Sequence, residues 1–326
     1  MKFILLIILL TFISGVLRAQ DPSYSQFYAN PLFMNPAFTG TSERQRMVVN
    51  YRAQWPQQGE ALTTYSLSYD RLLKNRKSGI GIQAYYDREP NNIINSNSAV
   101  ISYSHHVMLG IETFMTLGLQ AGIVHKQYDT ESLIFPSGID QITGQTSASF
   151  SNNSYDESLT YPDFAVGVAG QYRRFFWGTS IHHLTHPDES IIEGDQKGEV
   201  PVKITVQAGS RTRKLHHGLL SREFTLSPNI IYQQQGNFKQ LNLGIYMIEK
   251  SFMFGGWFRN NMDTRPNAVI ALVGLARKNF QFGYSFDYNL SKLSNYSYGS
   301  HEISLTFFMG AERPQIRQKS LLIPMI

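Results

Sequence analysis

The sequence predicts an all-β fold: an outer-membrane antiparallel β-barrel of about fourteen strands with an N-terminal periplasmic or lumenal segment. Three observations predict it. Apolar and polar residues alternate with period two along nearly the whole chain. The polar phase of that alternation is Gly, Ser, Thr, Asn and Gln rather than Lys and Glu. Beyond the first twenty residues no long apolar segment occurs, and the mean hydropathy is −0.24, which excludes a helical membrane protein.

The chain begins MKFILLIILLTFISGVLRA, with Lys2 ahead of an apolar run from Phe3 to Ile13 and the small residue Ala19 at its end. This is the pattern of a cleaved signal peptide over residues 1–19, and the run is short for a spanning helix. Loss of Lys2 and Arg18 lowers the formal charge from +5 to +3, which does not suggest nucleic acid as a partner. The chain has no Cys, so neither disulfides nor a lipid anchor on cysteine is expected. The 18 Tyr and 21 Phe suit rings at a membrane boundary.

Residues 20–44 are expected to form a strap or plug. Pro22, Pro31 and Pro36 each remove a backbone donor, and Asn30 and Asn35 are pushed to extended geometry by the prolines that follow, so neither a regular strand nor a helix is expected. Two readings stand: a segment that packs against the inner end of the barrel or fills its lumen, and a docking segment for periplasmic partners.

The barrel is expected over 45–310. Phe280, Phe282, Tyr284, Phe286 and Tyr288 alternate with Gln281, Gly283, Ser285, Asp287 and Asn289. Met115, Leu117, Leu119, Ala121 and Ile123 alternate likewise with Thr116, Gly118, Gln120 and Gly122. A soluble sandwich would turn Lys and Glu to water; small neutral polar groups suit the crowded interior of a barrel whose outer face meets lipid. Strand-like runs fall at 45–54, 61–71, 77–87, 95–107, 113–126, 160–172, 174–183, 202–211, 222–233, 237–249, 252–260, 266–276, 279–289 and 299–309. With a periplasmic start, the long connections 127–159, 184–201 and 290–298 fall outside, and the tight ones at Arg173, Lys250–Ser251 and Arg277–Lys278 inside. Residues 212–221 are long for an inner turn and 234–236 short for an outer loop. Residues 311–326 form a C-terminal tail.

Asp21 to Gly40 reads DPSYSQFYANPLFMNPAFTG and Asn50 to Pro56 reads NYRAQWP. These blocks, followed in order by GIGIQAYYD, SYSHHVML, YPDFAVGVAGQY, WGTSIHHLTHP, FGYSFDYNLSKL and GSHEISL, resemble the PorP/SprF family of the type IX secretion system of Bacteroidota. The resemblance implies a non-enzymatic, integral outer-membrane protein, surrounded by outer-membrane lipid, that works with the secretion ring and translocon. It also implies a role in export or surface attachment of cargo, such as gliding-motility adhesins, that carries a C-terminal sorting domain. The chain departs from many outer-membrane barrels by running on past its last strand, so Phe307 and Phe308 are the candidates for the assembly signal.

The candidate partner-binding or plug residues are Asp21, Pro22, Tyr24, Gln26, Phe27, Asn30, Pro31, Asn35, Pro36, Gly40, Arg52 and Trp55. Asn50, Arg52 and Gln54 share the inward face of the first strand; a lumenal Arg52 needs an acidic partner, for which Asp70 and Asp87 are the candidates. His182, His183 and His186 lie near Asp188, Glu189 and Glu193, but consecutive strand residues point to opposite faces, so no metal site is expected. No spacing marks a nucleophile or a phosphate loop, so neither catalysis nor a cofactor is expected. The loop 127–159 is expected to cap the pore or to bind cargo. The rival to an export role is a passive channel or hydrophobic-solute transporter.

Overall fold

A computed structural model describes residues 21–56, 60–110, 112–129, 158–190, 198–212, 215–217, 222–262, 267–290 and 299–310. The expected signal peptide, the C-terminal tail and most of the 127–159 loop lie outside the described residues, as does Glu193.

The chain forms a closed fourteen-strand antiparallel barrel of the outer-membrane type. The strands are β1 (Gln45–Gln54), β2 (Leu62–Leu72), β3 (Ser78–Arg88), β4 (Ile94–Met108), β5 (Thr113–Tyr128), β6 (Ser158–Tyr172), β7 (Phe175–His182) and β8 (Lys203–Ser210). After the short β9 (Leu215–His217) follow β10 (Arg222–Gln235), β11 (Phe238–Glu249), β12 (Phe252–Asn261), β13 (Ala268–Ala276), β14 (Phe280–Asn289) and β15 (Ser300–Met309). Neighbours pair in sequence order, except that β10 pairs with β8, and β15 closes on β1 with Arg52 opposite Glu302. The wall has no free edge, as a sheet in hydrocarbon requires.

The alternation does in space what the sequence expects. Leu67, Ile101 and Leu119 are 50%, 68% and 58% exposed on the outer face. Their inward neighbours Ser66, Ser68, Ser102 and Gly118 are buried. Both irregular connections have local causes. Residues 212–221 include β9, which pairs with Arg222–Phe224 before β10 joins β8 at Asn229, so the inner turn is a small hairpin beyond the wall. The short connection after Gln235 turns through Gly236 at φ +57°, a conformation that glycine adopts without steric cost.

The lumen is filled by the strap. Every residue from Tyr24 to Gly40 is buried except Phe33, which is half-buried. The expectation of no helix is corrected in detail: a 3-10 turn at Phe27–Ala29, one α-turn (α1) at Pro31–Met34 and a second 3-10 turn at Pro36–Phe38. Two of these turns start at the Asn-Pro pairs, because proline's fixed φ and missing donor suit a first helical position. Asn35 is extended, as a residue before proline should be, and its side chain accepts a hydrogen bond from the Ala37 amide.

Candidate functional site: the lumenal strap and its vestibule

The strap runs the length of the lumen, from Asp21 at the long-loop end to Gly40 at the short-turn end, and is fixed at four levels. At the short-turn end, Arg46 grips Asp70 with both Nε (2.8 Å) and Nη2 (2.9 Å). Asp70 also accepts from the Gly40 amide at 2.7 Å, and Arg46 Nη2 donates to the Phe38 carbonyl.

At mid-depth the strap's backbone rests on bare wall. A Cβ at Gly118 would overlap the backbone of Pro36 and Ala37, one at Gly79 the Thr39 carbonyl, and one at Gly167 the Asn35 side chain. Asn35 Nδ2 donates to the Val168 and Thr179 carbonyls, Ser180 Oγ to the Met34 carbonyl and Ser104 Oγ to that of Thr39. Asn30 bridges Ser66 and Gln83. On the other side Phe27, Tyr28, Met34 and Phe38 form an apolar cluster with Phe176, Ile231, Tyr246, Trp257, Ile270 and Leu272. The side of the lumen with small polar residues thus receives the strap's backbone, and the apolar side receives its rings.

Above this lies a buried ionic cluster. Arg52 Nη2 sits 2.9 Å from Asp287 and Nη1 3.1 Å from Glu302, and Arg259 Nη1 is 3.0 Å from Asp287. Strap atoms complete it: the Ser25 amide donates to Glu302 at 2.7 Å, the Ser25 hydroxyl to Asp287 at 2.5 Å, and Arg259 donates to the Tyr24 carbonyl. Gln26 donates to the Glu302 carbonyl and accepts from Ser304. This corrects the expected counterions of Arg52. Asp70 serves Arg46, Asp87 accepts from Thr64, and Arg52 is neutralised by Asp287 and Glu302 of the last two strands, β14 and β15. In a closed sheet β1 has a neighbour on each side, and the acidic residues lie on the side reached through the chain's far end.

At the long-loop end Asp21 meets His183 (2.9 Å), Lys203 (3.1 Å) and Gln235. His183 Nδ1 is also 3.1 Å from Asp163. Contrary to the strict alternation expected, His182 and His183 line one small lumenal cavity, because His183 takes φ +59° just past the end of β7. Among the described residues no group of three metal-binding side chains is placed to hold an ion. Burial alone would push the His183 imidazole down, but the Asp21 and Asp163 carboxylates more than offset it and hold it up at about 10. Asp21, which burial would push up, is held well below the ordinary carboxylate range by His183 and Lys203.

The raised histidine stabilises the strap fully below its unfolded value of ~6.5, and this contribution is lost as the pH rises through about 10. The depressed Asp21 contributes above its unfolded value of ~3.9 and fails in stronger acid. The thermal midpoint of the folded barrel is therefore expected to fall between neutral pH and about 10, and His183→Ala to flatten that limb. Identical profiles for the two proteins would contradict this latch.

A vestibule of about 330 Å³ remains above the strap. Its lining includes Asp21, Pro22, Tyr24, Phe27, Asn30 and Arg52, with Trp55 at the rim and Gln54, Gln233, Gln234 and Gln240 on the walls. Trp55 is 39% exposed and takes φ +52°. Of the other candidates, Gln26, Pro31, Asn35, Pro36 and Gly40 lie deeper, fully within the lumen. Sequence reasoning missed Ser25, Arg46, Arg259, Asp287 and Glu302. The signal was present for the four charged residues among them, each in the inward phase of its strand.

Fold and site together define an outer-membrane β-barrel whose lumen is occupied by its own N-terminal strap. The chain belongs to the PorP/SprF family of type IX secretion system membrane proteins, which it matches over residues 16–307. Members are non-enzymatic components of that system. No curated protein matches the chain. Similar solved structures include the Ralstonia pickettii toluene transporter TbuX, at 9% identity and TM-score 0.49, covering 86% of this chain and 93% of that one. The CymD monoaromatic hydrocarbon channel is similar at 11% identity and TM-score 0.49, covering 87% and 94%. The KdgM porin follows at 7% identity and TM-score 0.38, covering 81% and 99%.

Proposed function

We propose that this barrel is a closed anchoring component of the type IX system. It retains or sorts cargo by binding the C-terminal sorting domain, and it touches the secretion ring from the periplasmic side. The observation that carries this reading is the strap: among the described residues the lumen is packed with buried side chains and ion pairs between strap and wall, which favours a partner-binding role over a passive channel. The vestibule offers rings, amide side chains and charges at the end of the wall from which the longest connections depart, a surface suited to a polypeptide. The apolar run from Phe3 to Ile13, read as an export signal, and the family membership of the chain support the same placement.

Deleting Asp21 to Gly40 while keeping signal and barrel should abolish surface display of the cargo and leave membrane insertion intact. Display is read by antibody labelling of whole cells, and insertion by heat-modifiable migration of the barrel. Undiminished display from cells carrying the deletion would rule out a role for the strap.

A further inference from the structure

The two ends of the barrel differ in charge. At the short-turn end Lys74, Arg76 and Lys77 lie in the β2–β3 turn, Arg173 and Arg174 between β6 and β7, and Lys250 between β11 and β12. Arg277 and Lys278 follow β13, and Arg44 precedes β1. Against these stand, among the described residues, Glu43, Glu112, Glu223 and Glu249, of which Glu112 is paired with Arg173. At the long-loop end the balance among the described residues reverses: Glu60, Glu89, Asp129, Asp188, Glu189 and Glu199 outweigh Arg88, Lys126, Lys203 and Lys239.

The basic groups are spread around the circumference, and rings lie beside them on the outer wall. Tyr172, Phe175 and Phe252 are exposed there, with the Arg173 guanidinium 5.3 Å from the Tyr172 ring. The hydrogen bonds of Arg44 go to the carbonyls of Gly310, Lys278 and Phe308 and to Asn279, so they hold the group in place without neutralising it.

We propose that the short-turn end is a collar for the headgroups of anionic phospholipids in the adjoining leaflet. Cations just beyond a belt of rings sit at headgroup depth, where they pair with phosphate while their stems cover the apolar wall. A basic surface built for one protein partner would gather on one side of the mouth. These cations instead stand at most of the short turns, as contact with a lipid annulus demands.

The mature chain, purified in neutral detergent, is offered equal amounts of phosphatidylglycerol and phosphatidylcholine, and retained lipid is counted by native mass spectrometry. Wild type should favour phosphatidylglycerol by about tenfold or more. The variant K74Q/R76Q/K77Q/R277Q/K278Q should fall to near parity, and R88Q/K239Q at the other end should keep the preference. Should the turn variant fail to fold, the wild-type preference must still collapse in about 1 M salt, where the screening length is about 3 Å. Parity in wild type, equal losses in both variants, or a preference indifferent to salt would overturn the collar. So would a folded turn variant that keeps its lipid preference but no longer co-purifies with an acidic periplasmic protein.

Discussion

Gly118→Val should drive the strap out of the lumen. The new side chain would enter space held by the backbone of Pro36 and Ala37, and backbone in a tight turn cannot swing aside as a flexible side chain would. The wall cannot yield either, because Gly118 lies between Ser104 and Gly167 in the pairing of β4, β5 and β6. Displacement of the strap is the remaining relief. Chymotrypsin added to the folded barrel should then cut after Phe27, Tyr28 or Phe38, which are shielded in the wild type. Gly256→Val is the matched control, since that position is lipid-facing with nothing within 4 Å, and its strap should remain protected. A protected strap in the Gly118 variant would show that the two segments do not touch.

Removal of Arg52 should be the most destabilising single change at the ionic cluster. Arg52, Asp287 and Glu302 are each at most 2% exposed at the side chain, and truncation strands two carboxylates with Arg259 as the remaining close cation. Breaking such a pair costs about 3–5 kcal/mol, because a buried charge is left uncompensated. Arg52→Ala should therefore lower the urea midpoint of barrel unfolding, and R52M/E302Q should recover much of the loss by removing one charge of each sign and leaving Asp287 paired with Arg259. Arg88→Ala breaks an exposed pair with Glu60 and should leave the midpoint nearly unchanged. Equal effects of the two alanine variants would mean that the lumenal cluster is wet and weak.

Much of this architecture is legible because a barrel wall imposes one local rule, side chains alternately to lipid and lumen, that each strand must obey on its own. The span expected at 45–54 is β1 itself, and 113–126 and 279–289 agree with β5 and β14 to within two residues. The strap's departure from regular strand is legible for a similar reason, since Pro22, Pro31 and Pro36 each remove a backbone donor, but the helical turns that start at two of them are unexpected. What is not legible is pairing across the lumen. Arg52 meets Glu302 only because the last strand closes on the first, a relation set by strand number and stagger rather than by nearby sequence. His182 and His183 share a face only because one residue turns to positive φ, and no pattern of residue types announces that.

The central claim is that the strap fills the lumen, and conductance tests it most directly. Mature wild-type chain incorporated into a planar bilayer should be electrically silent, and the chain lacking Asp21 to Gly40 should open steady channels in the same bilayer. Stable porin-like conductance from the intact chain would contradict the account.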